Sequence, residues 1–420
     1  MRVLHTADWH LGQHFLTGQE RLTEQRLFLD WLLTTVRAQG VDALVLAGDV
    51  FDTTSPSHAA QELYYNFLVQ MQGSGCRHIV VVGGNHDSPT LLNASRQLLR
   101  QLRIHVVGNV PAESAEQVLT LDRADGRPGL VVCAVPFLRD RDIRLALPGE
   151  TPEERQQRVR DSIAAHYAAL AAHETVQRPR EQDVPVLATG HLYAAGGEAR
   201  EGAERDVHIG GLGLVGAEHF PAAFDYVALG HLHRPQVVGG QPHIRYSGSP
   251  VPLSFTEADD RQQVLLLEFS GAGAAPSITA LPVPVARRLQ RFHGTLQEVE
   301  ADILAYDNAA FQLVAWADVL VHSDEAPAEV QRRVQVALQH QKAQVLAPRG
   351  VRHQRATEAP DLAATVAPQQ MLSDLSVEEV FARRVAGLPP ERAAALTATF
   401  GELRQLLAEA DPAAWGGTGE

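Results

Sequence analysis

The chain has 420 residues, 45% hydrophobic and 20% charged, the balance of an ordinary soluble globular protein with room for two or three domains. Its formal net charge of −14 argues against a chain that grips nucleic acid unaided, because neutralising phosphates calls for a basic surface. No run approaches the ~20 apolar residues that span a bilayer, and two cysteines, Cys76 and Cys133, make no disulfide framework.

The opening residues carry no basic region with a small-residue cleavage site, so no export signal is expected and a reducing cytoplasm fits. Short apolar runs at 2–7, 42–47 and 78–83 predict strands. Between them, 20–38 and 57–73 carry apolar residues at helical spacing, among them Leu22, Phe28, Leu29, Leu32, Leu33 and Val36. Further strands are predicted at 103–107, 130–136, 184–189 and 226–229, with a polar helix over 153–173. Runs at 244–247, 264–269 and 277–283 follow without helices between them. The residues alone read as a largely buried mixed α/β sheet covered by helices, more antiparallel in its second half.

The alternation changes near Val283 and Pro284. Predicted strands at 287–294, 310–318 and 343–348, with helices at 296–305 and 327–341, suffice for a small separate α/β domain. Residues 356–372 have no clear periodicity and read as a linker. Ser376 and Glu379 then form a capping box that opens a short helix. A break at 387–390 and a second helix over 391–410 make 373–420 a helical hairpin with a tail.

Five short polar motifs stand at the ends of apolar runs. They are Asp8-Trp9-His10, Gly48-Asp49-Val50-Phe51-Asp52, Gly84-Asn85-His86-Asp87, Gly190-His191 and Gly230-His231-Leu232-His233. In an open α/β sheet, loops at the carboxyl ends of strands converge on one edge, so these motifs can meet in space. Their donors are carboxylate oxygen, amide oxygen and imidazole nitrogen, with no thiolate. That set suits Mn²⁺, Fe²⁺ or Zn²⁺ and disfavours Ca²⁺ or an all-oxygen Mg²⁺ site. Two clusters require a bridging carboxylate, and Asp49 is the natural bridge. A cation pair of this kind clamps a phosphate and lowers the pKa of a shared water. Taken singly, Asp8 with His10 is an ordinary loop pair, His191 a structural histidine, and Trp9 or Phe51 a core residue. The conjunction of five motifs in this order is what points to metals. No Walker-type loop competes, and Gly83-Gly84 reads as a tight turn presenting Asn85.

Asp-x-His, Gly-Asp-x-x-Asp, Gly-Asn-His-Asp, Gly-His and Gly-His-x-His in this order resemble the calcineurin-like metallophosphoesterase superfamily. The longer strings RVLHTADWHLG, GDVFD, GNHDSP, GHLHRPQ and YSGSPVPLSFTE are similar to its bacterial DNA-nuclease branch, whose members work with a coiled-coil ATPase. The resemblance implies a sandwich of two mixed sheets flanked by helices over 1–283. It also implies a DNA-contacting α/β capping domain over 284–355, the linker over 356–372, and an ATPase-docking helical element over 373–420.

The same resemblance implies two divalent ions, Mn²⁺ in the family. One would take Asp8, His10, Asp49 and His233; the other would take Asp49, Asn85, His191 and His231. His86 would be the catalytic histidine, with Asp52 and Asp87 as candidates to orient or charge such histidines from behind the ligands. Some relatives carry a phosphate-contacting histidine at the Asp52 position, which this chain lacks. The implied activity is 3′→5′ exonuclease action on double-stranded ends and endonuclease action on hairpins or single strands, in DNA repair, recombination and replication. It implies an ATP-gated assembly of two nuclease and two ATPase chains, a homodimer of the nuclease chain, and a place at the nucleoid. ATP would bind the partner, since this chain has no phosphate loop. A stand-alone phosphatase or cyclic-nucleotide phosphodiesterase is the alternative, because those enzymes share the metal motifs.

Overall fold

The computed structural model describes residues 1–15, 18–139, 142, 151–194 and 215–354, with 396, 399 and 400 as isolated positions. The linker expected over 356–372 lies outside the described residues. So does the helical hairpin expected over 373–420, those three positions apart.

Two six-stranded sheets stand where the residues alone suggested one. The first runs, in spatial order, Ser277–Pro282, Gln263–Glu268, Arg2–Thr6, Ala43–Ala47, His78–Val82 and Ile104–Val107. The last four of these are mutually parallel, and Gln263–Glu268 joins Arg2–Thr6 antiparallel. The second runs Gln236–Val238, Gln241–Tyr246, Tyr226–Gly230, Val186–His191, Pro128–Cys133 and Val118–Asp122. Its four central strands are parallel and its two outer strands antiparallel.

Strand periodicity of two separates the layers. Val3, Val45, Val80 and Val82 pack against Leu130, Val132, Leu187 and Ala228 between the sheets. The alternate residues Leu4, Leu44, Leu46 and Val81 pack under helices Leu22–Gln39 and His58–Met71, through Phe28, Leu32, Tyr64 and Leu68. On the far side, Val131, Val186, Val227 and Leu229 meet Val159, Ile163 and Tyr167 of helix Pro152–Ala171. The order is helix, sheet, sheet, helix, and strands buried on both faces explain the unbroken apolar runs. A buried polar link between the sheets runs from His5 to strand Tyr226–Gly230. His5 accepts at Nδ1 from the Tyr226 hydroxyl, 3.0 Å away, and donates from Nε2 to the Leu229 carbonyl, 3.2 Å away.

A third sheet is wholly parallel and consists of Arg287–Thr295, Leu313–His322, Val345–Leu346 and Val351–Gln354. Helices Leu296–Ala305 and Pro327–His340 cover it through Val299, Ile303, Val330 and Val334. A capping box at Thr295 and Glu298 starts the first of them. This unit joins the rest through an apolar knot of Phe15, Phe255, Ala258, Leu289 and Trp316. Beside the knot, Glu24 is buried between two guanidinium groups: Arg21 Nη2 donates to its Oε2 and Arg287 Nε to its Oε1. Arg287 also lies over the Trp316 ring at 4.2 Å. A buried carboxylate left without such partners would be strongly destabilising, so the two arginines stabilise Glu24 at the joint.

Candidate metal centre

The strands that end in the five motifs belong to both sheets and open on a common edge. Four predicted ligands turn there in the left-handed region: Asp8 at φ 55°, His10 at 45°, Asp49 at 49° and His231 at 105°. Such backbone costs a non-glycine residue about 1–3 kcal/mol and concentrates at functional sites. Glycines make room for it. A Cβ on Gly48, itself at φ 95°, would overlap the His191 imidazole, and one on Gly84 would overlap the Asp49 carboxylate and backbone nitrogen. Gly84 has no positive φ, so close approach rather than the expected tight turn explains its identity.

The structure brings all seven predicted ligands together. Asp8, His10 and His233 each place one donor atom within 4.8 Å of the others, as do Asp8, Asp49 and His191. The Asn85 Oδ1 lies 2.9 Å from His191 Nε2 and 3.0 Å from His231 Nδ1. Asp49 Oδ2 lies 3.3 Å from His191 Nε2 and 3.5 Å from His10 Nε2. Asp8 is fully buried and also accepts the backbone N–H of His231 at 2.9 Å.

These donors fit divalent cations. Both ring nitrogens of His10 are buried and make no hydrogen bond, a costly condition that a cation relieves. His191 donates its Nδ1–H to the Ala47 carbonyl at 3.0 Å. His233 donates its Nδ1–H to Glu257 Oε1 at 3.2 Å. Both rings are oriented from behind in this way, as in metal-binding histidines generally. Burial alone would raise the Asp49 pKa, but His191, His10 and His86 outweigh it and hold the carboxylate well below its usual range. Burial alone would lower His191, but Asp49 and Asp8 outweigh it and lift the ring to about 9. Burial, aided by His191, pushes His231 down to about 3.

His86 stands beside the ligands. Its backbone N–H donates to Asp49 Oδ1 at 2.9 Å, and its Nδ1–H to the Asp52 carbonyl at 2.7 Å. Burial lowers its pKa, with Asp49 opposing. Asp52 thus meets His86 through its main chain, while its carboxylate lies 3.3 Å from His10 Nδ1. Asp87 behaves differently from either histidine-facing role. Its carboxylate accepts backbone N–H groups from Val50, Phe51 and Gly84 at 3.1, 3.0 and 2.9 Å, clamping two motif loops together. Burial raises its pKa to about 6, with the Asp49 charge adding to it.

Two contributors escaped the sequence reading. Glu257 orients His233, and its only signal was membership of the SFTE string. Gln25 ties helix Leu22–Gln39 to the first motif loop, donating to the His10 carbonyl at 2.7 Å and accepting from the Gly12 N–H at 2.9 Å. A cavity of about 340 Å³ opens over the centre, lined by His10, His86, His233 and Ser254 and, from the third-sheet unit, by Asp318 and Arg349.

The calcineurin-like phosphoesterase family matches residues 1–235, and the family described as type 5 capsule protein repressor C-terminal domain matches residues 285–387. The chain is 42% identical over 386 residues to SbcD, the SbcCD nuclease protein of Escherichia coli strain K12, covering 92% of this chain and 93% of that one. It is 42% identical over 294 residues to the protein of the same name from Rhodobacter capsulatus, covering 68% and 70% of the two chains. Against the Bacillus subtilis protein of that name it is 38% identical over 269 residues, covering 64% and 66%. The chain belongs to the calcineurin-like phosphoesterase family. Within that class its similarity runs to the SbcD proteins of SbcCD nucleases, and it is a phosphodiester hydrolase of that nuclease group.

Proposed function

We propose that this chain is the Mn²⁺-dependent DNA nuclease component of an SbcC-containing complex. The observation that carries the metal reading is Asp49, whose one carboxylate oxygen faces histidines of both ligand groups. One cation would be held by Asp8, His10, Asp49 and His233, the other by Asp49, Asn85, His191 and His231. Bound there, such cations supply positive charge to a phosphodiester and acidify a water. His86 acts beside them. Its Nδ1–H is committed to the Asp52 carbonyl, so the ring would act as the imidazolium, giving its Nε2 proton to the departing 3′-oxygen and returning to the neutral Nδ1–H form. Asp87 and Asp52 hold the loops and the His10 ring in place.

The substrates are double-stranded ends, cut 3′→5′, and hairpins or single strands, cut internally. SbcC supplies ATP binding and much of the DNA grip, consistent with the net charge of −14. Two copies of each protein assemble, this chain as a homodimer, in the cytoplasm at the nucleoid. Residues 1–283 form the nuclease domain and 284–355 the DNA-contacting cap; 356–372 is a linker and 373–420 the SbcC-docking element. The test is cleavage of end-labelled duplex and hairpin DNA with Mn²⁺, with and without SbcC and ATP. Mn²⁺-dependent cutting of both substrates, stimulated by SbcC and ATP, is expected. Robust turnover of soluble phosphoesters with intact DNA ends would instead favour a stand-alone phosphatase or cyclic-nucleotide phosphodiesterase.

A further inference from the structure

Arg349 reaches the cavity over the metal centre from a different part of the chain than any predicted ligand. It sits in a tight turn between strands Val345–Leu346 and Val351–Gln354. The Gly350 N–H closes that turn on the Ala347 carbonyl at 2.9 Å, Gly350 adopts φ 70°, and Pro348 presets the backbone just before the arginine. The unit that carries the turn is itself fixed by the Phe15–Trp316 stack and the buried Glu24 pair.

The charge of Arg349 is uncommitted. Every other described arginine of the third-sheet unit makes an ion pair, with Glu24, Asp259, Glu300, Glu329 or Asp318. Arg349 makes none among the described residues. The carboxylates that share its cavity are already engaged. Asp318 accepts from Arg352 at 2.6 Å and from His293 at 3.0 Å, Asp52 faces His10, and Asp49 faces His191 and His10. Among the described residues, Arg349 is the one guanidinium lining a cavity whose other charged side chains are histidines and aspartates. At about 340 Å³ that cavity falls within the roughly 300–1,000 Å³ of small-ligand sites. Arg349 is exposed, and a guanidinium carried on a defined turn without an ion-pair partner is suited to bidentate binding of a phosphate.

We propose that Arg349 binds a DNA backbone phosphate adjacent to the one cut at the metal centre, so that the third-sheet unit sets the strand's position over His86. This rests on the nuclease reading above. It is tested with the full chain in complex with SbcC, comparing wild type, Arg349→Gln and Arg349→Lys. Two quantities are read: the KM for duplex cleavage with Mn²⁺ and ATP, and duplex affinity by anisotropy in EDTA over a salt series. Arg349→Gln should raise KM and Kd about tenfold at low salt, independent of sequence, and lower the salt slope by about 1. Arg349→Lys should recover part of the affinity and the slope, but not the bidentate geometry. A wild-type complex that cuts duplex, with Arg349→Gln matching its KM, Kd and slope, overturns this inference alone. A wild-type complex that cuts no duplex overturns the nuclease reading and this inference with it.

Discussion

Asp49 Oδ1 accepts the backbone N–H of His86 at 2.9 Å, while its other oxygen faces His191 and His10. The carboxylate proposed to bridge the two cations therefore also sets the position of the proposed proton donor. Gly84 leaves the space that Asp49 occupies, and Gly48 the space for the His191 ring. Gly84→Ala and Gly48→Ala should each weaken Mn²⁺ binding by roughly 10–100-fold, the usual scale for disturbing the support of metal ligands. Isothermal titration of the folded variants checks this, and wild-type affinity in both would show that the close packing is not needed.

Removing the His5 link between the sheets should cost stability without touching the metals. His5→Phe leaves the buried Tyr226 hydroxyl without its His5 partner and removes the ring's bond to the Leu229 carbonyl. Each buried polar group left unsatisfied costs about 1–3 kcal/mol. A matching fall in the urea-unfolding free energy is expected, and an unchanged midpoint would contradict the link.

Burial, with His78 and Arg100 adding repulsion, pushes His105 down to about 4 from an ordinary 6.5. The folded state therefore keeps the ring neutral while the unfolded chain protonates it. The associated stability is present above pH 6.5 and is lost as pH falls from 6.5 to about 4. His105→Leu should lose stability less steeply than wild type over that window, as read from urea midpoints at pH 7.5, 6 and 5. Parallel pH profiles would remove His105 from the acid response.

Much of the centre was readable because metal chemistry constrains residue type and order. Asp8, His10, Asp49, Asn85, His191, His231 and His233 each stand at a strand end, where the fold alone brings them together. Glu257 was not readable, because it lies on a short turn and reaches His233 across 24 positions. The backbone clamp of Asp87 depends on loop closure, which no spacing encodes. The second sheet was hidden for a related reason. Strands such as Ala43–Ala47 and Val186–His191 are buried on both faces, so their composition does not say which neighbour they pair with. Strands Val118–Asp122 and Val351–Gln354 went unseen because most of their residues are polar or not fully buried.

Deleting 373–420 should abolish SbcC binding and leave a folded core that still takes up Mn²⁺. Co-elution on size exclusion reads the first and elemental analysis the second. A truncated chain that still co-elutes with SbcC would refute docking through this segment.

His86→Asn separates holding the metals from the chemistry most directly. The full-length variant, in complex with SbcC, should carry as much Mn²⁺ per chain as wild type by elemental analysis. It should cut end-labelled duplex at least about 100-fold more slowly, the lower end of what a positioned proton donor contributes. Cleavage at the wild-type rate, or loss of Mn²⁺ together with activity, would contradict the role given to His86.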